Sequence, residues 1–343
     1  MKLGVIFGGK SEEHEVSVVS ASHVIKNLNK KKYDIYPIYI DRCNEWYEVL
    51  DEAKIYKIGE LPKDIKAINN VFKYLKNMDV VMPVMHGDYG EDGSIQGLLR
   101  MLDVAYVGCG VMASSVGMDK VYTKTLLRSA GVNVTPNIYI RYEKGEFFYV
   151  DESFNYNKVT VVDIDKLIEE KFGYPVYVKP SNSGSSLGIS KACNKDELNV
   201  SIYEAKKYDE KILIEKYIEA REIECAVLDD IVSIPGEVCS ATEFYSYDAK
   251  YKNSKSKTVI PADISDSISD DIRSIAKRAF NVIDGKGLAR IDFFIDKNTS
   301  EVYLNEINTM PGFTEISMYP MLIQNMGITY AELLDKLIEC ATK

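Results

Sequence analysis

Four polar side chains near the C-terminal end of the chain are spaced in pairs, Arg290 with Asp292 and Glu306 with Asn308. Both pairs interrupt apolar segments on either side of a short polar turn, and this alternation predicts a β-hairpin over 288–308. Side chains two positions apart on a strand point to the same face of a sheet. If the strands pair, one face therefore carries two carboxylates, an amide oxygen and a guanidinium.

This hairpin face has the chemistry of a magnesium site. Mg²⁺ takes oxygen ligands from one or two carboxylates and fills its other positions with water and substrate phosphates. A solvated strand face is the alternative interpretation. The next segment, Thr-Met-Pro-Gly-Phe at 309–313, predicts a tight turn that brings backbone N–H groups close by. We therefore favour a metal site whose ligands are Asp292, Glu306 and Asn308.

A lysine followed by a loop of small residues is a second candidate site. Lys179 ends a predicted strand, and residues 180–188 have the sequence Pro-Ser-Asn-Ser-Gly-Ser-Ser-Leu-Gly. Such a loop can surround a phosphate with backbone N–H and hydroxyl donors. It is not a Walker loop, because no Gly-Lys-Ser/Thr follows. Alone the pattern is weak, since loops rich in glycine and serine are common between strands.

Charged and apolar residues alternate further along the chain, from Glu215 to Ile218 and at Glu222. This arrangement suits an adenine slot, in which backbone groups contact the base edge and Glu222 reaches the ribose hydroxyls. An edge strand with ordinary surface charges is the alternative. Both interpretations stay open on these residues alone.

The N-terminal third of the chain predicts an α/β unit that would support these sites. Apolar runs at 3–7, 35–40 and 80–85 predict buried strands, and the first ends at a pair of glycines, as a parallel strand does before a tight turn. Strands that alternate with helices predict a doubly wound parallel sheet over residues 1–110. The glycines do not match the G-x-G-x-x-G pattern of dinucleotide-binding folds.

Two further domains of α+β type are predicted at 111–214 and 215–343. The first begins with a helix over about 116–130, which Gly131 would end. The second contains a stretch, 243–263, that is rich in Tyr, Lys and Ser and too polar for a core. A loop of this length inside a compact domain is usually functional or disordered.

Composition narrows the class of protein. A chain of 343 residues is too long for one ordinary hydrophobic core and suggests two or three domains. Its formal net charge of −10 argues against a nucleic-acid binder, because such proteins need clustered Lys and Arg. The N-terminal apolar run is too short for a signal peptide, and no stretch predicts a membrane span. The cysteines are scattered without C-x-x-C spacing, which is typical of free thiols in a reducing cytoplasm. They lie at positions 43, 109, 193, 225, 239 and 340.

Together these motifs resemble the D-alanine–D-alanine ligases of the ATP-grasp superfamily, and the resemblance runs essentially from end to end. Any one segment could arise by chance, but seven in family order are specific. The segments are 12–17, 86–93 with 96–97, 118–120, 179–188, 244–251, 287–292 and 306–312. The resemblance implies three domains with the ATP-grasp fold, in which ATP lies between the central and C-terminal domains and 243–263 forms a lid.

The resemblance also implies a role for individual residues. Glu13 would hold the ammonium of the first substrate in a hydrogen-bonded triad with Ser185 and Tyr251, and Arg290 with the Gly312 N–H would form an oxyanion hole. The implied substrate-binding residues are His86, Glu91, Lys250, Ser317 and Met318. The implied ATP-binding residues are Lys120, Lys179, Ser186, Glu215, Lys216, Tyr217, Ile218, Glu222 and Phe294. Asp292, Glu306 and Asn308 would bind two Mg²⁺ ions, for which Mn²⁺ can substitute.

The implied activity is the ATP-dependent joining of two D-alanines through an acyl phosphate, which supplies a peptidoglycan precursor in the cytoplasm, and the implied assembly is a homodimer. Tyr251 favours an amine acceptor over D-lactate, whereas Glu315 replaces an expected serine and leaves D-serine open as acceptor. A related carboxylate–amine ligase and an ATP-binding regulatory module without catalysis are two further hypotheses. Glu13, His86 and Glu91 all fit the D-alanine pattern, which argues against the related ligase. Arg290 and the metal carboxylates are all present, which argues against a module that has lost catalysis.

Overall fold

The computed structural model describes residues 1–51, 53–184, 187–239 and 257–343. Within these ranges the strands form three sheets of six strands each. The first sheet is mixed, whereas the second and third are antiparallel. The fold is therefore α/β followed by α+β, as the sequence predicts. No helix in these ranges is long and apolar enough to cross a membrane.

The N-terminal unit is built on the first sheet. Its elements are β1 (Lys2–Gly8), α1 (His14–Asn27), β2 (Asp34–Ile40), β3 (Trp46–Val49), β4 (Ile65–Ala67), α2 (Val71–Leu75), β5 (Val80–Val84), α3 (Ser94–Met101) and β6 (Ala105–Tyr106). The strand order is β4-β3-β2-β1-β5-β6. The parallel part is β2-β1-β5-β6, with apolar clusters on both faces. Its strands β1, β2 and β5 confirm the three predicted ones, whereas β6 has two residues and was not predicted. The antiparallel strands β3 and β4 extend the parallel part and were not predicted, because they are short and largely polar.

Two helices, α4 (Val111–Met118) and α5 (Lys120–Ser129), replace the single helix predicted over 116–130. That prediction was wrong because Asp119 has an extended backbone between them. Its carboxylate accepts hydrogen bonds from the backbone N–H groups of Val121 (3.1 Å) and Tyr122 (3.2 Å), so it caps α5.

The second sheet forms the centre of the middle unit. Its elements are β7 (Asn137–Glu143), β8 (Glu146–Val150), β9 (Tyr156–Val159), α6 (Val161–Lys171), β10 (Val176–Pro180), β11 (Ser190–Ala192), α7 (Lys195–Ala205) and β12 (Lys211–Lys216). The strand order is β11-β10-β12-β7-β8-β9. The two helices, α6 and α7, enclose a separate apolar cluster with this sheet.

The third sheet belongs to the C-terminal unit. Its elements are β13 (Ala220–Leu228), β14 (Ile231–Val232), β15 (Gly236–Cys239), β16 (Lys257–Val259), α8 (Asp266–Val282), β17 (Leu288–Asp296), β18 (Val302–Asn308), α9 (Met318–Asn325) and α10 (Tyr330–Ala341). The strand order is β16-β15-β13-β17-β18, and β14 pairs with β13 beside this path. The β17–β18 hairpin confirms the predicted one. Its register pairs Arg290 with Asn308 and Asp292 with Glu306.

The beginning and the end of the chain share one apolar cluster. Leu3 of β1 and Val24 of α1 belong to the same buried cluster as Leu333 and Leu337 of α10. At its edge Asp335 accepts a hydrogen bond from the Tyr33 hydroxyl at 2.8 Å. The first sheet is therefore completed by the last helix.

Candidate active site

A cavity of about 570 Å³ is lined by residues from all three units of the fold. Every described site residue predicted above lines it except Ser317 and Met318. The lining members of that set are Glu13, His86, Glu91, Lys120, Lys179, Glu215, Lys216, Tyr217, Ile218, Glu222, Arg290, Asp292, Phe294, Glu306, Asn308 and Gly312. Four other predicted residues, Ser185, Ser186, Lys250 and Tyr251, lie outside the described residues, as does most of the predicted lid.

Strand register places three carboxylates in one row across β13, β17 and β18. Glu224 pairs with Asp292, and Asp292 pairs with Glu306. Arg290 lies beside this row: its Nε is 2.8 Å from Asp292 Oδ1 and 2.9 Å from Glu224 Oε2, and its Nη2 is 2.8 Å from Asp292 Oδ2. Burial alone would lower the pKa of Arg290, but the carboxylates of Asp292 and Glu224 raise it well above its ordinary value. The guanidinium is therefore fixed in position and always charged.

The predicted metal ligands lie together on the face of this hairpin. Asn308 Nδ2 donates to Asp292 Oδ2 at 3.0 Å, and Glu306 Oε2 is 3.9 Å from the Lys120 ammonium. In the described ranges no three His, Cys, Asp or Glu side chains are grouped as a metal site. Two carboxylates and an amide oxygen fit Mg²⁺ that takes its remaining ligands from phosphates and water.

Two lysines line the part of the cavity next to the 180–188 loop. Lys120 Nζ donates to the carbonyl of Ser183 at 2.7 Å, and the backbone N–H of Lys120 donates to the carbonyl of Ser181 at 3.2 Å. Ser181 Oγ in turn donates to Asp119 Oδ1 at 2.5 Å. The start of α5 is thus joined to the loop that follows Lys179, and both lysines border the same space.

Glu215, predicted in the adenine segment, has its carboxylate directed towards lysines. Its Oε1 is 2.5 Å from Lys124 Nζ and its Oε2 is 2.5 Å from Lys179 Nζ. Burial alone would raise the pKa of Glu215, but the two ammonium groups hold it at about 2. The carboxylate is therefore ionised, with a lysine ammonium beside each oxygen.

The neighbouring residues form the walls of the same end of the cavity. The backbone N–H groups of Lys216 and Tyr217 donate to the carbonyls of Pro136 (2.9 Å) and Pro175 (3.1 Å). Glu222 pairs in register with Phe294 across β13 and β17. Phe294 and Tyr217 both line the cavity, so a flat apolar group can be enclosed there.

Glu13 lies between two glycines of different loops, away from the adenine segment. A Cβ atom built on Gly184 would lie 2.6 Å from Glu13 Oε2, and one built on Gly87 would lie 3.0 Å from it. Gly87 also has a positive φ of +69°, which side chains rarely adopt. The carboxylate is therefore packed against the backbone of one loop from the first sheet and one from the second.

His86 and Glu91 join this end to the turn after β18. His86 Nδ1 lies 2.9 Å from the carbonyl of Met310, and Nε2 lies 3.0 Å from Ser20 Oγ. Burial lowers the pKa of His86, so the ring is neutral at pH 7. Glu91 accepts from the N–H groups of Gly87 (2.9 Å) and Met310 (3.3 Å). Burial and the Glu13 carboxylate raise the pKa of Glu91 to about 8.

Ser317 and Met318 lie beyond the cavity. Ser317 Oγ accepts from the Thr314 N–H at 3.0 Å and lies 2.8 Å from the Thr314 hydroxyl. Met318 is buried in the apolar cluster that includes α9 and α10. Glu315 is exposed and lies 3.5 Å from both His23 Nδ1 and Lys26 Nζ of α1. Its carboxylate therefore points to the outer surface.

Sequence reasoning missed Lys124 and Glu224. Lys124 lies four residues after Lys120, which is one helical turn, and Glu224 lies two after Glu222, on the same strand face. The sequence shows these spacings, but only the packing of the folded chain shows which side chains Lys124 and Glu224 contact. Both make ion pairs with predicted site residues.

Comparison with known proteins gives the family. Residues 2–109 match the model described as "D-ala D-ala ligase N-terminus" and residues 145–339 match "D-ala D-ala ligase C-terminus". A D-alanine–D-alanine ligase from Clostridium novyi is 47% identical over 348 residues, covering 100% of this chain and 98% of the relative. The chain belongs to the D-alanine–D-alanine ligase family. It is an ATP-dependent ligase with the ATP-grasp fold.

Other family members agree in both sequence and structure. The D-alanine–D-alanine ligase of Clostridium acetobutylicum is 47% identical and covers 99% of this chain and 97% of its own length. The VanG D-Ala:D-Ser ligase of Enterococcus faecalis superposes with a TM-score of 0.84 at 34% identity, covering 99% of both chains. The D-alanine–D-alanine ligase of Coxiella burnetii gives 0.82 at 31% identity, with 100% and 94% coverage. The ligase fold is thus shared along the whole chain.

Proposed function

We propose that this ligase joins one D-alanine to another, converting ATP to ADP and phosphate, and so supplies a peptidoglycan precursor in the cytoplasm. The observation that carries the proposal is one cavity lined by Lys120 and Lys179, by the Asp292–Glu306 pair and by Arg290 and Gly312. Full-length relatives named as D-alanine–D-alanine ligases support the choice of substrate. The six free cysteines suit a reducing compartment.

The first half of the reaction makes the carboxylate reactive. A carboxylate oxygen of the first D-alanine attacks the γ-phosphorus of ATP, the bond to the β,γ-bridging oxygen breaks, and an acyl phosphate and ADP result. Phosphoryl transfer needs positioning and charge neutralisation. Lys120 and Lys179 supply cations for the phosphates, and Asp292, Glu306 and Asn308 would hold Mg²⁺. Bound there, the metal would neutralise the phosphate charge that develops during transfer.

The second half joins the two amino acids. The free amine of the second D-alanine attacks the acyl carbon, and the carbonyl oxygen becomes an oxyanion. As the oxyanion collapses to the peptide carbonyl, the bond to phosphate breaks, and the proton lost by the nitrogen leaves with the phosphate. Arg290 and the Gly312 N–H would stabilise that oxyanion, and Glu13 would hold the donor's ammonium away from the reaction. Losing one oxyanion donor typically costs about 3 kcal/mol of barrier.

Phosphate release tests this function directly. The purified protein is assayed with MgATP and D-alanine alone, and L-alanine serves as the stereochemical control. We expect ATP-dependent phosphate release with D-alanine, D-alanyl-D-alanine as the product and no reaction with L-alanine. Absence of turnover on D-alanine alone would rule out the proposal.

D-Serine as acceptor is the second candidate, favoured by the close superposition on the VanG D-Ala:D-Ser ligase. Glu315, the residue that left this acceptor open, is directed towards α1 and does not line the cavity. We therefore expect D-serine, added with D-alanine, to give less mixed dipeptide than D-alanyl-D-alanine. Predominance of the mixed product would reverse the order of the two candidates.

A further inference from the structure

Three alternating charges lie buried behind the phosphate end of the cavity. The ammonium of Lys124, the carboxylate of Glu215 and the ammonium of Lys179 are joined by two contacts of 2.5 Å. Lys124 is 1% exposed and does not line the cavity, whereas Glu215 and Lys179 do. The group carries one net positive charge, and Lys124 is the member that no ligand can reach.

This arrangement affects how strongly Lys179 can attract an anionic ligand in the cavity. A carboxylate paired with Lys179 alone would cancel its charge, and in a site of low dielectric such a pair would attract little further anion. Lys124 takes one oxygen of Glu215, so the same carboxylate serves two ammonium groups. Lys179 is thereby held in place by Glu215 while part of its charge remains for an anion in the cavity.

Helix α5 carries both Lys120, which lines the cavity, and Lys124, which contacts Glu215. Lys120 and Lys124 are one turn apart on α5, so their side chains lie on one helix face. Lys120 reaches the cavity and contacts the Ser183 carbonyl, while Lys124 reaches Glu215 on β12. Because Asp119 caps α5 and accepts from Ser181 Oγ, the helix and the loop after Lys179 keep a fixed relation.

We propose that Lys124 is a positioning residue for phosphate binding, sharing the Glu215 carboxylate so that Lys179 is held in place with charge left for the ATP phosphates. The Glu215 carboxylate thus links the buried lysine to the one that lines the cavity. This inference rests on the proposed use of ATP by the cavity.

The test separates phosphate affinity from base affinity. Binding of Mg²⁺ with β,γ-imido ATP, and of adenosine, is measured by calorimetry for the wild type and for Lys124→Met, Lys124→Arg and Lys124→Gln. We expect Lys124→Met to weaken the analogue about tenfold and adenosine less than about twofold, because only the phosphate contact is lost. Lys124→Arg keeps the charge and should stay closer to the wild type. Lys166→Met, an exposed lysine on α6, is the matched control.

Lys124→Gln keeps the test valid if Lys124→Met does not fold. Its amide can still donate to the buried Glu215 carboxylate but carries no charge, so it should also weaken the analogue about tenfold. Equal weakening of analogue and adenosine by Lys124→Met would reduce Lys124 to a structural residue. A Lys124→Gln variant that binds the analogue as tightly as the wild type would also overturn the proposal. If the wild type itself fails to bind the analogue, the proposed function is at fault instead.

Discussion

Glu13 Oε2 lies so close to the backbone of Gly184 that a single added methyl group would collide with it, at 2.6 Å. Glu13 comes from the loop before α1, and Gly184 from the loop after Lys179. The contact thus joins the end of the cavity proposed to hold the donor to the loop proposed to face the phosphates. Both ends of the site depend on the same close approach.

Gly184→Ala should therefore impair the donor end of the cavity. The added Cβ displaces the Glu13 carboxylate, and we expect the KM for the first D-alanine to rise about tenfold or more. Steady-state kinetics with varied D-alanine measure the effect. Gly97→Ala is the matched control, because a Cβ on Gly97 meets no atom within 4 Å. An unchanged KM in Gly184→Ala would show that Glu13 does not hold the donor.

Arg290→Lys keeps the positive charge but loses the paired hydrogen bonds to Asp292. A lysine cannot present two N–H donors in a fixed plane, so the oxyanion would lose a positioned donor. We expect kcat to fall about a hundredfold with a much smaller change in the KM for ATP. Arg278→Lys, an exposed site on α8, controls for the substitution itself. A larger effect on the ATP KM than on kcat would assign Arg290 to nucleotide binding.

Glu306→Gln tests the metal site. The substitution keeps the shape of the side chain and removes one carboxylate from the row. We expect the Mg²⁺ concentration for half-maximal activity to rise and kcat to fall about a hundredfold. Glu301→Gln, on the exposed turn before β18, is the control. Ligation that keeps its normal magnesium dependence in Glu306→Gln would exclude Glu306 as a ligand.

Glu91 should make the stability of the protein depend on pH. Its pKa in the folded chain is about 8 because of burial and Glu13, above the ordinary 4.5. The folded state therefore holds a proton that the unfolded state has released, and stability falls as pH rises from about 4.5 to about 8. The slope contributed by this one group is at most about 1.4 kcal/mol per pH unit.

Urea unfolding of the wild type and Glu91→Gln between about pH 6 and pH 9 measures this slope. The glutamine places an NH₂ group against a backbone N–H, so the variant should be less stable throughout. The difference between the two proteins should nevertheless shrink as pH rises, because only the wild type loses stability through this group. A constant difference across the range would show that Glu91 is ionised in the folded protein at neutral pH.

The sequence predicted features that depend on local spacing. The β17–β18 hairpin, and the shared face of Arg290, Asp292, Glu306 and Asn308, follow from alternation within about twenty residues. Three parallel strands of the first sheet, β1, β2 and β5, were also predicted, because each is a short and mostly apolar run.

Features that depend on packing between distant elements could not be predicted from local spacing in the sequence. Nothing near Lys124 indicates that its ammonium meets a carboxylate on β12, and the direction of the Glu215 side chain is equally hidden. The break between α4 and α5 was missed because Asp119 bonds to a loop about 60 residues away as well as to its own helix. Tertiary partners, not local propensity, decided each of these positions.

The cluster shared by Leu3 and Leu337 has a consequence for synthesis of the chain. The first sheet emerges from the ribosome before α10, which covers part of it. Until the residues of α10 are free, β1 and α1 keep an uncovered apolar surface. Closure of the N-terminal unit therefore waits for the synthesis of α10, and a nascent chain stalled before α10 would be a substrate for chaperones.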